Sequence, residues 1–223
     1  MTSDGARKGA LDRVLDVNGP HLSVDRRREA DTVSGHLEAD LRDELTSLGM
    51  PGVEFRVHLR QLEPERSDDR CEFLIRLNPG LPEVEVAETA SGGEAARLLL
   101  ALHSLRGAGE RETWVFDEID AGTSGDTALA VARHLARLAT GSQVIAITHQ
   151  PSVASAAHGH LRILKTSTPE DSTTVTTVHL LDDESALDET VRLLGGREGD
   201  PNVRGHVMRL RELSSTHARR RPS

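Results

Sequence analysis

Two short apolar runs with a helix-like stretch between them constrain this chain more than any other feature. Thr113-Trp-Val-Phe116 ends in Asp117-Glu118, and Gln143 to Ile147 is followed by Thr148-His149. Each run has the length of a strand rather than a helix, and Gly125 to Ala139 between them reads as a helix entered from Ser124. Two strands joined through a helix run parallel, because a tight hairpin can only reverse the chain. The unbroken apolar character of the second run predicts a strand buried on both faces. Strands and helices alternate around this unit, so the expected fold class is α/β.

The rest of the chain divides by pattern. Residues 1–24 mix Gly, Asp, Asn and Pro with scattered apolar side chains and read as loose, with room for one helical turn. Residues 25–49 carry Ala30, Val33, Leu37, Leu41, Leu45 and Leu48 at spacings of three and four, stopped by Gly49-Met50-Pro51. That is an amphipathic helix with a narrow apolar stripe, equally suited to packing on its own domain or to a coiled-coil stub. Val53, Phe55, Val57 and Leu59 alternate with polar residues, as do Cys71, Phe73, Ile75 and Leu77, so both segments read as strands. Ala95 to Gly107 follows Ser91-Gly-Gly-Glu94 as a buried helix. After a short helix from Pro151 come two more strands (Leu161 to Thr166 and Thr173 to Leu180). A helix beginning with a capping box at Ser185 to Asp188 is expected next, then a last helix from Pro201. Residues 216–223 form a basic tail.

Composition removes several classes. No run approaches the ~18 apolar residues of a membrane span, and the first residues lack an apolar signal segment. The single cysteine, Cys71, excludes an internal disulfide framework and suits a reducing cytoplasm. A net charge of −9 argues against coating nucleic acid by bulk charge, and one tryptophan, three phenylalanines and no tyrosine leave little to stack on bases.

Chemistry concentrates at three places. Asp117 and Glu118 end a strand, where α/β sheets bind ligands. One carboxylate there can hold a hydrated magnesium and the other can orient water on a phosphate. Ser91-Gly92-Gly93-Glu94 opens a helix whose unpaired N–H groups and roughly half positive charge favour an anion, although a plain Ser cap reads the same way. His149 ends the neighbouring strand and could donate to a terminal phosphate. Elsewhere the signals are thin. His158-Gly-His160 lacks a clustered third ligand for zinc. Cys71 has no indicated base, and the runs Arg26-Arg27-Arg28 and Arg219-Arg220-Arg221 read as solvated charge.

Taken in order, Ala90-Ser-Gly-Gly-Glu94 with Arg97, then Phe116 to Gly125 (FDEIDAGTSG), then Thr148 to Ala154 (THQPSVA) resemble the RecN family of SMC-like bacterial DNA-repair ATPases. The likeness covers the C-terminal half of an ABC-type head, residues 50–215, with residues 25–49 as a stub of its coiled-coil arm. It implies that Asp117 coordinates magnesium through water, that Glu118 polarises the attacking water and that His149 contacts the γ-phosphate. Asp120 would couple two sites across a head-to-head dimer. Ser91, Gly92 and Gly93 would clasp ATP bound to the opposite head. DNA would be met indirectly, in double-strand-break repair, with the protein cytoplasmic and on the nucleoid when acting.

The sequence departs from that family in one respect that matters for mechanism. No GxxxxGKS/T occurs in these 223 residues, so the backbone cradle and lysine that hold Mg-ATP are missing from them. Hydrolysis then requires a P-loop-bearing N-terminal lobe or RecN-like head in trans. The alternative is a non-catalytic or truncated RecN-like protein that only docks on an intact head. Either way, the helix of residues 25–48 is expected to bare its leucine stripe for want of an antiparallel partner.

Overall fold

The computed structural model describes residues 19–20, 24–61, 68–88, 92–106, 112–167, 174–197 and 199–215. The remainder of the loose segment 1–24 and the tail 216–223 lie outside the described residues. The chain divides into two compact units, Met1–Thr123 with Leu138–Ile147, and Ser124–Arg137 with Thr148–Ser223.

In the first unit, helix α1 (Val24–Ser47) precedes strands β2 (Glu54–Gln61) and β3 (Asp68–Arg76), which pair antiparallel with Phe55 opposite Ile75 and Val57 opposite Phe73. Two short strands, β1 (Gly19–Pro20) and β4 (Val84–Glu85), pair with β3 as well. β1 is therefore a strand where the sequence suggested at most a helical turn. Leu37, Leu41, Leu45 and Leu48 are all buried, and α1 packs on β2 and on helix α2 (Gly92–Arg106). The expectation that this stripe would lie bare is thus corrected. The helix packs on its own unit, and Glu38 adds a bond by accepting the Val57 N–H at 2.8 Å. The stop is built by Gly49, whose φ of +77° lets Met50 N–H reach Leu45 C=O at 2.9 Å and Gly49 N–H reach Thr46 C=O at 3.1 Å. This closes off two carbonyls that the helix end would otherwise leave unpaired.

Strands β5 (Thr113–Asp117) and β6 (Gln143–Ile147) pair in parallel, in register from Thr113 opposite Gln143 to Asp117 opposite Ile147. The parallel pair read from the sequence is present, but its burial is one-sided. Trp114, Phe116, Val144 and Ala146 lie on the covered face, and α2 sits there, with the His103 and Trp114 rings 3.6 Å apart between centroids. On the other face Val115 is 63% exposed, Ile145 43% and Ile147 51%. Burial on both faces is corrected accordingly: the apolar run is continuous because a strand of this kind is meant for two covers, and this unit supplies one.

The second unit holds α3 (Gly125–Leu138) as far as Arg137, α4 (Pro151–Ala156), the antiparallel hairpin β7 (His160–Ser167) and β8 (Thr174–Leu181), α5 (Asp183–Leu193) and α6 (Pro201–Ser215). α4, α5 and α6 pack together. Arg133 Nε on α3 donates to Leu213 C=O at 3.1 Å. The start of α5 lies upstream of the expected capping box. Asp182 is the cap, its carboxylate accepting Ser185 N–H at 2.8 Å. Asp offers a capping oxygen as Ser does, three residues earlier than the helix run suggested. On one face of the hairpin Leu161 stands opposite Leu180, and Ile163 opposite Val178, all four exposed.

The leucine stripe makes a direct test of the first unit. Leu41 is fully buried, so Leu41→Ala should cost about 2–5 kcal/mol, read from the shift in denaturant midpoint of the far-UV transition. A shift near zero would mean that α1 is not seated as described.

Candidate active site

The site is built where β5 ends. Side chains alternate across a strand, so Asp117 follows Val115 onto the open face, exposed, while Phe116 turns inward. The next residue breaks the pattern. Glu118 takes φ = +53°, the left-handed region. For a residue with a Cβ this costs on the order of 1–2 kcal/mol, and it persists only where the surroundings hold it.

Those surroundings can be named. Ile119 is fully buried, and Asp120 is 1% exposed. Ala121 N–H bonds to Glu118 C=O at 2.9 Å, and both the N–H (3.0 Å) and the hydroxyl (2.8 Å) of Thr123 donate to Asp120 C=O. The remaining two carbonyls are served from α2: Arg97 Nη1 donates to Ile119 C=O at 3.3 Å and to Ala121 C=O at 3.0 Å. All four consecutive carbonyls of residues 118–121 therefore accept a hydrogen bond.

Helix α2 lies against this turn at its N-terminus. A Cβ placed on Gly93 would come within 3.0 Å of Ala121 Cβ, 3.1 Å of Glu118 O and 3.2 Å of Ala121 O, so any residue but glycine would force the turn to give way. One placed on Gly92 would stand 3.4 Å from Glu118 Oε2. The Glu118 carboxylate thus lies beside the first residue of the helix, where the unpaired N–H groups favour negative charge. Burial pulls the Arg97 guanidinium below its ordinary pKa and Glu94 works the other way; an arginine stays charged through such a shift.

His149 stands two residues beyond β6 and is exposed; it belongs to the second unit. Beside it, Thr148 Oγ1 accepts Gln150 N–H at 2.9 Å, leading into α4.

Comparison with known proteins gives the family. No family profile matches the chain. The DNA repair protein RecN of Streptomyces coelicolor is 36% identical over 206 residues, which make up 86% of this chain and 35% of that protein. RecN of Deinococcus radiodurans is 36% identical over 184 residues (82% and 31%), and RecN of Halalkalibacterium halodurans 33% over 209 (91% and 36%). The chain belongs to the RecN family over the part it shares with them. It spans about a third of the length of these relatives. Among solved structures it is similar to an Smc head domain with a coiled coil and joint from Pyrococcus yayanosii. That match has TM-score 0.49 and 22% identity, and covers 75% of this chain and 31% of that one.

Against the RecN-like reading, the structure brings Gly92, Gly93, Asp117, Glu118 and Asp120 to one end of β5 within the first unit. Ser91 lies outside the described residues. The sequence assigned the glycines and Glu118 to different nucleotides, one on each head, yet within this chain they are neighbours. Two features were not read from the sequence at all: the left-handed Glu118 and the reach of Arg97 to the turn. The spacing held a clue to the second, since Arg97 follows Gly93 by four residues and so shares its helix face.

Asp117 offers a hard, exposed oxygen suited to magnesium. Among the described residues no group of three or more His, Cys, Asp or Glu could hold a metal ion. An ion at Asp117 would thus draw most of its ligands from water and phosphate, as magnesium commonly does. No such group forms around His158 and His160 either. Cys71 is half-buried, and burial, with Glu72 adding to it, pushes its thiol up to about 11. It is a poor nucleophile there. The side chains of Arg26 to Arg28, and all of Arg219 to Arg221, lie outside the described residues.

The two glycines should respond differently to a methyl group. Gly93→Ala forces Ala121 or two hydrogen-bonded carbonyls aside and should destabilise by about 1–3 kcal/mol. Gly92→Ala meets only ordinary contact and should be neutral or slightly stabilising. Denaturant midpoints of the two variants check this; equal shifts would show that α2 does not seat on the turn.

Proposed function

We propose that this chain is the signature-bearing lobe of an ABC-type ATPase head like that of RecN, and that it completes a nucleotide site together with a P-loop-bearing lobe. The observation that carries this reading is the meeting of the glycine-led N-terminus of α2 with Asp117 and Glu118, at the end of a parallel strand pair with one bare face. A lone module has no use for that bare apolar face, whereas a lobe that extends the sheet or caps it does. Family membership supports the same reading.

Each residue then has a task. Asp117 would hold magnesium through water, and the ion, when bound, would offset charge on the phosphates. Glu118, exposed at the sheet edge, would orient and polarise the attacking water. His149 would donate to the γ-phosphate. Ser91 and the Gly92–Gly93 backbone would present N–H groups to ATP held by an opposing head, and Asp120 would link the two sites across the head-to-head dimer. The buried carboxylate of Asp120 sits within the turn that carries Glu118, which supports a coupling task over direct contact with substrate. In DNA double-strand-break repair such a cycle would engage and release heads, with DNA met elsewhere on the assembly. Residues 25–49 would continue into the arm.

The test is reconstitution. Mixed with a purified P-loop lobe of a RecN-like head, the chain should raise ATP hydrolysis well above the sum of the separate rates. Glu118→Gln should remove about 10²–10³ of that gain, the range for losing one preorganised contact. No gain on mixing would contradict the proposal. A gain that Glu118→Gln leaves intact would support docking without catalysis instead.

A further inference from the structure

We infer that Arg97 is a positioning residue for Glu118, a clamp through which the seating of α2 sets the geometry of the acid turn. The inference rests on the ATPase reading for its consequence and on geometry alone for its mechanism. Of the four carbonyls in residues 118–121, two are satisfied within the turn and two, among the described residues, by Arg97 Nη1, at 3.3 and 3.0 Å. Those two, Ile119 and Ala121, flank Asp120. Arg97 is 7% exposed and its bond to Ile119 is buried, so water is a poor substitute donor there, and an unpaired buried carbonyl costs on the order of 1–3 kcal/mol.

Two further contacts make the clamp one-sided. Gly93 lies one helical turn before Arg97 and packs its backbone on Glu118 O and Ala121, which fixes how far α2 can slide. Glu118 itself sits at φ = +53°, a conformation with little support of its own. With the Arg97 bonds lost, the Ile119 and Ala121 carbonyls lose the donor that orients their peptide planes, and Glu118 can relax toward ordinary backbone angles. Its carboxylate would then leave the place where water must be oriented. A displacement of α2, the helix whose N-terminus would meet an opposing nucleotide, would act on the acid by the same route. Arg97 reaches no reacting atom in this scheme; it acts through the peptide planes of the turn.

Two readouts on the full chain test the clamp. In the mixture with a P-loop lobe, Arg97→Gln should lower kcat for ATP at least tenfold and leave KM within about twofold. Arg97→Lys, which keeps a cationic donor and endangers the fold less, should fall between it and the unaltered chain. In the chain alone, hydrogen exchange at the Ala121 and Thr123 amides should quicken at least tenfold in Arg97→Gln, with the β5 and β6 amides unchanged. An unaltered kcat in a mixture that hydrolyses ATP would overturn the inference. So would unaltered exchange at both amides, or equal acceleration throughout β5 and β6, which would mark a merely structural arginine. Should no mixture hydrolyse ATP, the functional reading fails by itself, and the exchange result still decides whether Arg97 holds the turn.

Discussion

The backbone of Gly93 lies so close to Glu118 and Ala121 that a side chain there would push the turn aside, and the candidate site follows from that approach. It brings the N-terminus of α2 to the end of β5, puts Arg97 one turn further along within reach of two carbonyls, and sets the Glu118 carboxylate beside Gly92. Burial drives the approach and hydrogen bonds define it. Leu98, Leu100, Ala101 and Leu105 seat α2 in the core of the first unit, while the contacts of Gly93 and Arg97 fix which part of the helix meets the turn. Apolar packing alone would tolerate a sliding helix; paired carbonyls and a missing Cβ do not.

Much of this was legible in the sequence, and the misreadings share a cause. Strand and helix identity came through because periodicity is a local property: Phe55 and Val57 alternate, Leu37, Leu41 and Leu45 recur every four residues, and Asp117-Glu118 closes an apolar run. Burial is not local. The continuity of Val144, Ile145, Ala146 and Ile147 records an environment apolar on both sides, but says nothing about which segment supplies the second side. The leucine stripe of α1 erred in the opposite direction, since its partners on β2 and α2 lie outside the helix and leave no mark on its own pattern. The left-handed Glu118 left no trace in residue type, because glycine or asparagine is what marks that conformation in a sequence. The start of α5 shifted from Ser185 to Asp182 because two adjacent segments both carry capping residues, and three-dimensional context chose between them.

Among the described residues, two apolar faces are left open by their own units, Val115, Ile145 and Ile147 on the parallel pair and Leu161, Ile163, Val178 and Leu180 on the hairpin. Each belongs to its own unit, and each is a face that folded proteins ordinarily hide. The relatives offer a physical reason: they are about three times as long as the matched segment, so their equivalents of these faces have other chain available to meet. Under the proposed function, folding of this chain and completion of its chemistry are separable. The core closes with α1, α2 and one face of β5–β6, and under the proposed function a phosphate cradle would come with whatever covers the second face.

That central claim is tested most directly at Val115, 63% exposed on the bare face beside Asp117. A Val115→Cys form can be labelled with a thiol reagent near pH 8, where Cys71, its thiol pushed up to about 11, is only about one part in a thousand thiolate and reacts slowly. The account predicts rapid labelling of the new cysteine in the chain alone and at least tenfold protection once a P-loop lobe and ATP are added. Equal labelling with and without that lobe, under conditions where the two chains associate, would contradict it.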